Sequence, residues 1–341
     1  MGAVPQVSVL IPCFNAAKTI EESLQTLVDQ NHPDFEIVAV DDGSQDATLG
    51  ILQAWAAQDS RVRVLPLPHG GIIAALNAGL QICQGVYVAR MDADDRAHPE
   101  RLARQAAYLD SHPDIALVSS LVAGFPKEQV RQGYRIYIEW LNSLVSDQDI
   151  RREIFVESPL AHPSVMFRRS AVQDLGGYHD YGWAEDYDLW LRLNLAGARF
   201  AKLPQVLLDW REHPDRLTRT DSRYSLENFL RAKAHYLVRG PLVGRDAVIL
   251  WGAGMMGRRL SKHLLREGAP LVVFVDIDPR KIGNTRRGLP IIAPEDLMDW
   301  WARFQNPVVL AAVGARGARA LIRKRLNDFG LSEGQDWWGV A

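Results

Sequence analysis

Three carboxylates fall within four positions of "YVARMDADDRAHPER" (residues 87–101): Asp92, Asp94 and Asp95. They follow a short apolar run that ends at Met91. Asp is a poor strand residue, and like charges this close repel one another. A divalent cation offsets that repulsion. Mg2+ and Mn2+ take oxygen ligands, commonly one or two carboxylates together with substrate phosphates. An Asp-x-Asp turn lets Asp92 and Asp94 approach one ion, while Asp95 reads as a cap or a supporting group. A second acidic pair, Asp41-Asp42, ends an earlier apolar run in "FEIVAVDDGSQD" (35–46), where the alternative is an Asx turn before Gly43. A third acidic group, "EDYD" (185–188), opens an amphipathic segment, where acids also suit the helix dipole.

The elements that must position these acids follow from hydrophobic periodicity. The apolar runs 7–12, 62–67 and 86–91 read as buried strands, as does the run 35–46 that ends in a turn cluster, and helical spacing fills the segments between them. Strands alternating with helices predict a parallel, doubly wound α/β sheet, whose ligands bind beyond the C-terminal ends of the strands. Both aspartate clusters sit at such ends. The middle of the chain is less regular: 138–145 looks helical, 163–169 looks like a strand, and 185–197 and 227–240 look helical. Gly240-Pro241 is a strong helix stop, and the domain boundary is expected near 238–245. A second alternating pattern begins at Asp246. There Gly252-x-Gly254-x-x-Gly257 follows a strand and opens a helix, and Asp276 ends the next strand. That context suits phosphate at a helix N-terminus and an acid on ribose. A Rossmann-like module used only for packing or assembly is the alternative.

Composition bounds the rest. With 341 residues, 47% hydrophobic and 23% charged, the chain is globular and long enough for two domains. Its net charge of −2 gives no sign of a nucleic-acid binder. Charge is uneven, however: residues 242–341 hold 15 Lys and Arg against 10 Asp and Glu. That excess suits an anionic ligand or membrane surface, or simply a solvated face. The two cysteines, Cys13 and Cys83, imply neither a metal site nor a disulfide framework. No segment reads as a signal peptide or a membrane span, so a reducing cytoplasm is the expected location, with peripheral association at the inner membrane face as a further expectation.

The first 240 residues resemble a family 2 glycosyltransferase with the GT-A nucleotide-diphospho-sugar transferase fold. The resemblance rests on "VSVLIPCFNAAKTIEESLQTLVDQ", "EIVAVDDGSQDAT", "GIIAALNAGL", "ARMDADDRAHPERLARQ", "HPSVMFRRSAVQDLGGY" and "AEDYDLWLRL", in that order. It implies that Pro12 and Asn15 lie beside the nucleotide, that Asp41 contacts base or ribose with Asp42 next to it, and that Gly71 and Asn77 border the nucleotide. It implies that Asp92 and Asp94 hold Mg2+ or Mn2+ on the donor diphosphate, and that Asp186 is the general base of an inverting transfer. "DWREHPDRLTR" resembles a family segment whose His lies close to the diphosphate, which makes His213 a candidate ligand. His162 is a weaker candidate. Glu185 and Asp188 have no assigned role. Trp183, Tyr187 and Trp190 are core residues or a sugar-stacking platform. Leu76 departs from an Arg often found there in relatives, which weakens a phosphate contact from that position.

The implied partners are a nucleotide diphosphate sugar and a sugar or glycolipid acceptor, in surface polysaccharide or glycolipid assembly. Processive synthases of this superfamily carry Gln-x-x-Arg-Trp after the base, together with membrane helices. Neither is present here, so transfer of a single sugar is expected. A sugar nucleotidyltransferase would need a Gly-rich, Arg-containing loop after the first strand, which "PCFNAAKT" lacks. A non-catalytic nucleotide-sugar-binding or scaffold protein would be favoured by loss of Asp186 or the Asp-x-Asp pair, and all three acids are present. Residues 245–341 ("VDIDPRKIGNTRRGLPII" in particular) resemble the nucleotide-sugar-binding domain of bacterial sugar acyltransferases, a small Rossmann-like α/β domain.

Overall fold

The computed structural model describes residues 4–341, which divide into two compact units. Among the described residues, the first comprises 4–150, 159–181 and 185–220. Its sheet begins with β1 (Val7–Cys13), β2 (Phe35–Asp41), β3 (Val62–Pro66) and β4 (Tyr87–Arg90), all parallel. β2 is buried along its whole length, and β1 along all but Pro12. Strands covered on both faces read as continuous apolar runs, which is why the sequence pattern locates them.

The sheet continues through β5 (Arg96–Ala97), β6 (Ile115–Phe125), β7 (Met166–Arg168) and β8 (Arg199–Arg211), in the order β3-β2-β1-β4-β7-β6-β8-β5. β7 runs antiparallel to both β4 and β6, so this half of the sheet is mixed. β6 and β8 are the long strands of the sheet, and the sequence pattern does not reveal either. β6 carries Ser119 and Ser120 in its centre, β8 carries Lys202 and Pro204, and their pairing breaks register three times. Lys202 is buried nonetheless, its Nζ donating to Pro159 O at 3.0 Å and to Leu141 O. The expected strand over 163–169 shrinks to Met166–Arg168, because His162–Ser164 forms a short 3-10 turn.

The second unit comprises residues 151–158, 182–184 and 221–341. Its sheet has β9 (Ala247–Trp251), β10 (Leu271–Val275), β11 (Thr285–Arg286), β12 (Leu289–Ile292), β13 (Pro307–Ala311) and β14 (Trp337–Gly339), ordered β11-β12-β10-β9-β13-β14. All pairs are parallel except the β11–β12 hairpin. The boundary expected near 238–245 therefore needs correction. The helix Leu226–Arg239 packs on the helix Met255–Arg266 of the second unit, burying Leu230 and Leu237, while Glu227 pairs with Lys262 and His263. Gly240-Pro241 ends a helix without ending a domain.

Candidate active site

The acidic residues of the first unit gather where its parallel strands end. Asp41, the last residue of β2, is 2% exposed. Its Oδ2 accepts from the Ser44 amide at 3.2 Å, and its buried Oδ1 has no partner. A buried carboxylate oxygen left unpaired is costly, and it marks a place for a donor from outside the chain. Asp42 differs. Its oxygens accept from the Gly70 and Gly71 amides at 2.8 and 2.9 Å, and His69 Nδ1 lies 2.9 Å from its Oδ2. Asp42 thus closes the loop before the helix Ile72–Ile82, and both its oxygens are engaged there. Gly71 turns that corner with φ +85°, a conformation that a side chain disfavours.

The loop after β1 is tied to the loop after β2 by Asn15, whose Oδ1 accepts from the Gln45 amide at 2.8 Å and whose own amide donates to Ser44 Oγ at 3.0 Å. Its φ of 50° is one that Asn tolerates well. Pro12 lies inside β1, one residue before its end. Between them, Phe14 is 45% exposed and stacks on His69, with ring centroids 4.2 Å apart. This aromatic pair is not apparent from the sequence pattern, although an exposed Phe at a strand end beside Asn15 is the signal that points to it. Asn77 is tied to a distant part of the chain. Its Nδ2 donates to Tyr178 O and its Oδ1 accepts from the Tyr178 amide, both at 2.8 Å. The amide side chain pairs with backbone as a strand would, so it braces the helix Ile72–Ile82 against Tyr178.

Asp92, Asp94 and Asp95 offer three ligand atoms within 4.8 Å of one another. Burial, and then the charges of Asp94 and Asp92, push the Asp95 carboxyl well above the usual range. Asp92 is also raised, chiefly by burial, although Arg90 works against the shift. Asp95 Oδ1 accepts from the Arg211 amide on β8 at 2.7 Å, whereas its buried Oδ2 has no partner. Asp94 Oδ2 lies 2.9 Å from His213 Nε2. Crowded carboxylates, an orphaned buried oxygen and an adjacent imidazole form a donor set that fits Mg2+ or Mn2+. Asp95 is thus an anchor to β8 that keeps its second oxygen facing the other two acids.

Arg90, the last residue of β4, was not singled out by sequence. It is 2% exposed and paired with Asp92. Burial works against its charge, but Asp92 foremost, with Tyr178, Glu185 and Asp95, more than offsets that cost. An Arg at the end of a fully buried strand was the available signal, because such a charge demands partners.

Asp186 lies in the first turn of the helix Glu185–Leu195. Its Oδ1 accepts from the Tyr187 amide at 2.7 Å. Burial, then the Glu185 charge, raises its carboxyl to about 8. Asp188, fully buried, pairs with Arg192 at 2.7 Å. His162 is buried, with Nε2 2.9 Å from the Tyr178 hydroxyl, and burial and then Arg90 hold its pKa well below the ordinary value. It packs edge-on against Trp190, with Nδ1 3.8 Å from Glu185 Oε1. Tyr187 and Trp190 are fully buried and Trp183 is 5% exposed, so all three are core residues.

In the second unit, Gly252 has φ +121°, and a Cβ on Gly257 would stand 1.7 Å from Gly252 O. Gly254 caps the helix Met255–Arg266. Asp276 accepts from the Ala253 amide at 2.9 Å, from the Asp278 amide at 3.0 Å, and from Lys281 Nζ at 3.0 Å. Both oxygens of Asp276 thus tie the ends of β9 and β10 together.

Residues 8–176 match the family model for glycosyl transferase family 2. The Bacillus subtilis (strain 168) protein EpsE is 30% identical over 295 residues, which is 85% of this chain and 99% of EpsE. The amylovoran biosynthesis glycosyltransferase AmsE of Erwinia amylovora is 35% identical over 211 residues, 61% of this chain and 77% of AmsE. Among solved structures, S. aureus TarS 1-349 in complex with UDP-GlcNAc aligns with a TM-score of 0.57 at 22% identity, over 76% of this chain and 72% of that one. That likeness is one of fold, and it agrees with the GT-A architecture expected from the sequence.

Proposed function

Since the chain belongs to glycosyl transferase family 2 and is a glycosyltransferase, we propose that it moves one sugar from a nucleoside diphosphate sugar to an acceptor hydroxyl, with inversion at the anomeric carbon. The observation that carries this reading is the acidic cluster at the end of β4, with its partnerless Asp95 oxygen and adjacent His213. Asp92 and Asp94 hold the divalent cation, with His213 as a ligand or as the group that orients Asp94. When bound there, the ion supplies charge stabilisation for the leaving diphosphate.

The protein's own residues do the rest. Phe14 and His69 offer a ring face to the base, and the free Oδ1 of Asp41 accepts from a base N–H or a ribose hydroxyl. Pro12, Asn15, Asp42 and Gly71 shape the loops that carry these groups. Asp186 takes the proton of the acceptor hydroxyl as that oxygen attacks the anomeric carbon. Its raised pKa suits this task, because a base works best when its pKa lies near the working pH. Arg90 keeps positive charge between the acidic cluster and the Glu185–Asp186 pair. AmsE is named for amylovoran biosynthesis, which supports surface polysaccharide assembly as the setting.

The test is a panel of uridine, guanosine and deoxythymidine diphosphate sugars, scored by thermal stabilisation with and without Mn2+. The stabilising donor is then offered acceptors, and the anomeric configuration of the product is read by NMR. Cation-dependent stabilisation by one donor and an inverted product are expected. No stabilisation by any donor, or a retained configuration, sinks the reading.

A further inference from the structure

We propose that one face of the second unit, formed by the helix Met255–Arg266 and the tip of the β11–β12 hairpin, docks the protein onto a bilayer containing anionic lipid. The helix has two distinct faces. Gly257, Leu260, Ser261 and Leu264 are buried. Met255, Arg258, Arg259, Lys262 and Arg266 recur at helical spacing on the other face and form a continuous basic stripe. The hairpin tip widens it. Arg287 Nη2 donates to Arg258 O at 3.0 Å and its Nε to Ser261 Oγ at 3.1 Å, which fastens the tip against the helix.

Lys262 apart, which pairs with Glu227, the charge on this face is not neutralised within the fold. Residues 255–266 and 284–290 contain no acid. The neighbouring acids are engaged: Glu227 with Lys262 and His263, and Glu267 with Arg239 and His235. Among the described residues, Arg258, Arg259, Arg266, Arg286 and Arg287 pair with no carboxylate.

Apolar side chains decide between a bilayer and a soluble polyanion. Met255 is 56% exposed at the start of the stripe, and Leu265 is 40% exposed near its end. Ile277, 76% exposed, follows Asp276, whose carboxylate holds the Ala253 amide, so it lies at the Met255 end of the helix. A polyanion in water offers these side chains nothing. A lipid interface takes both parts: headgroup phosphates meet the guanidinium groups, and the apolar tips enter the acyl boundary. Each basic residue close to an anionic membrane strengthens binding by about five-fold, and the effect is screened by salt.

The test is flotation of the whole protein with phosphatidylcholine vesicles, with and without phosphatidylglycerol. Binding is expected only with phosphatidylglycerol, and to fall as salt is raised. Arg258→Gln, Arg259→Gln, Arg266→Gln and Arg287→Gln together are expected to weaken it by about 100-fold or more. Because Arg287 also braces the hairpin, a second variant changes only the three helix arginines. Circular dichroism and the melting midpoint establish that each variant is folded. A third variant, Met255→Ser with Ile277→Ser, is expected to weaken binding at high salt more than at low salt. No flotation with phosphatidylglycerol at low salt overturns the proposal, as does unchanged flotation of the folded arginine variants. Retention on a sulfated polysaccharide without vesicle binding also overturns it, in favour of an anionic polymer.

Discussion

His213 Nε2 lies 2.9 Å from Asp94 Oδ2, a contact between residues 119 positions apart in the chain. It joins the loop after β4 to the segment that follows β8, so the acidic cluster is held from two sides.

Asp94→Ala is expected to abolish the Mn2+-dependent part of nucleoside diphosphate binding, and His213→Ala to weaken it by about 10- to 100-fold, the usual cost of losing a group that orients or completes a metal site. Calorimetric titration with and without chelator measures both. Full cation-dependent affinity in Asp94→Ala removes the metal role.

Asp186 works as a base only when ionised. With its carboxyl raised to about 8, kcat/KM is expected to rise with pH and level off above that value. Asp186→Asn is expected to lower turnover by about 100-fold or more and to flatten the profile. The same group affects stability with a definite sign. Between the unfolded carboxylate value, about 4, and the folded value, the native state binds the extra proton. Stability therefore falls as pH rises through that window, and Asp186→Asn is expected to lessen the fall. A profile unchanged by the substitution moves the base elsewhere.

Asn77→Ala removes two hydrogen bonds to Tyr178 and leaves backbone groups unpaired. A loss of about 1 to 3 kcal/mol in urea unfolding is expected, with donor affinity nearly unchanged. Donor affinity falling without loss of stability would place Asn77 at the nucleotide site.

Phe14→Ala is expected to reduce nucleotide affinity by about 10-fold or more, since stacking of a base on an aromatic ring contributes about 1 to 3 kcal/mol. Fluorescence competition with a labelled nucleotide gives the value. An unchanged constant places the base elsewhere.

The parallel half of the first sheet was legible because β1 and β2 are buried and largely apolar, and because β2 ends in Asp41 and Asp92 follows the end of β4. The mixed half was not. β6 and β8 interrupt their apolar runs with serines, a lysine and a proline, and the partners that make those residues tolerable are remote in sequence. Within the site, acids at strand ends were visible by type and position. Their commitments were not: Asp41 and Asp42 are adjacent and identical, yet one keeps a free oxygen and the other spends both on Gly70 and Gly71. Arg90 escaped notice because its partners come from four separate positions in the chain.

The pairing of β5 with β8 completes the setting of the acidic triplet. Arg96 and Ala97 pair within the sheet with Asp209 and Leu208, and the Asp95 carboxylate finds its backbone donor at Arg211. During synthesis the acidic triplet is made more than a hundred residues before the strand that fixes it. Until β8 arrives, the triplet is held from one side, by the Ser23 hydroxyl on Asp95 O, by Thr26 on the Ala97 amide and by Arg90 on Asp92. A chain cut before Arg199 therefore keeps the three acids and lacks both the Arg211 amide that donates to Asp95 and the His213 ring beside Asp94.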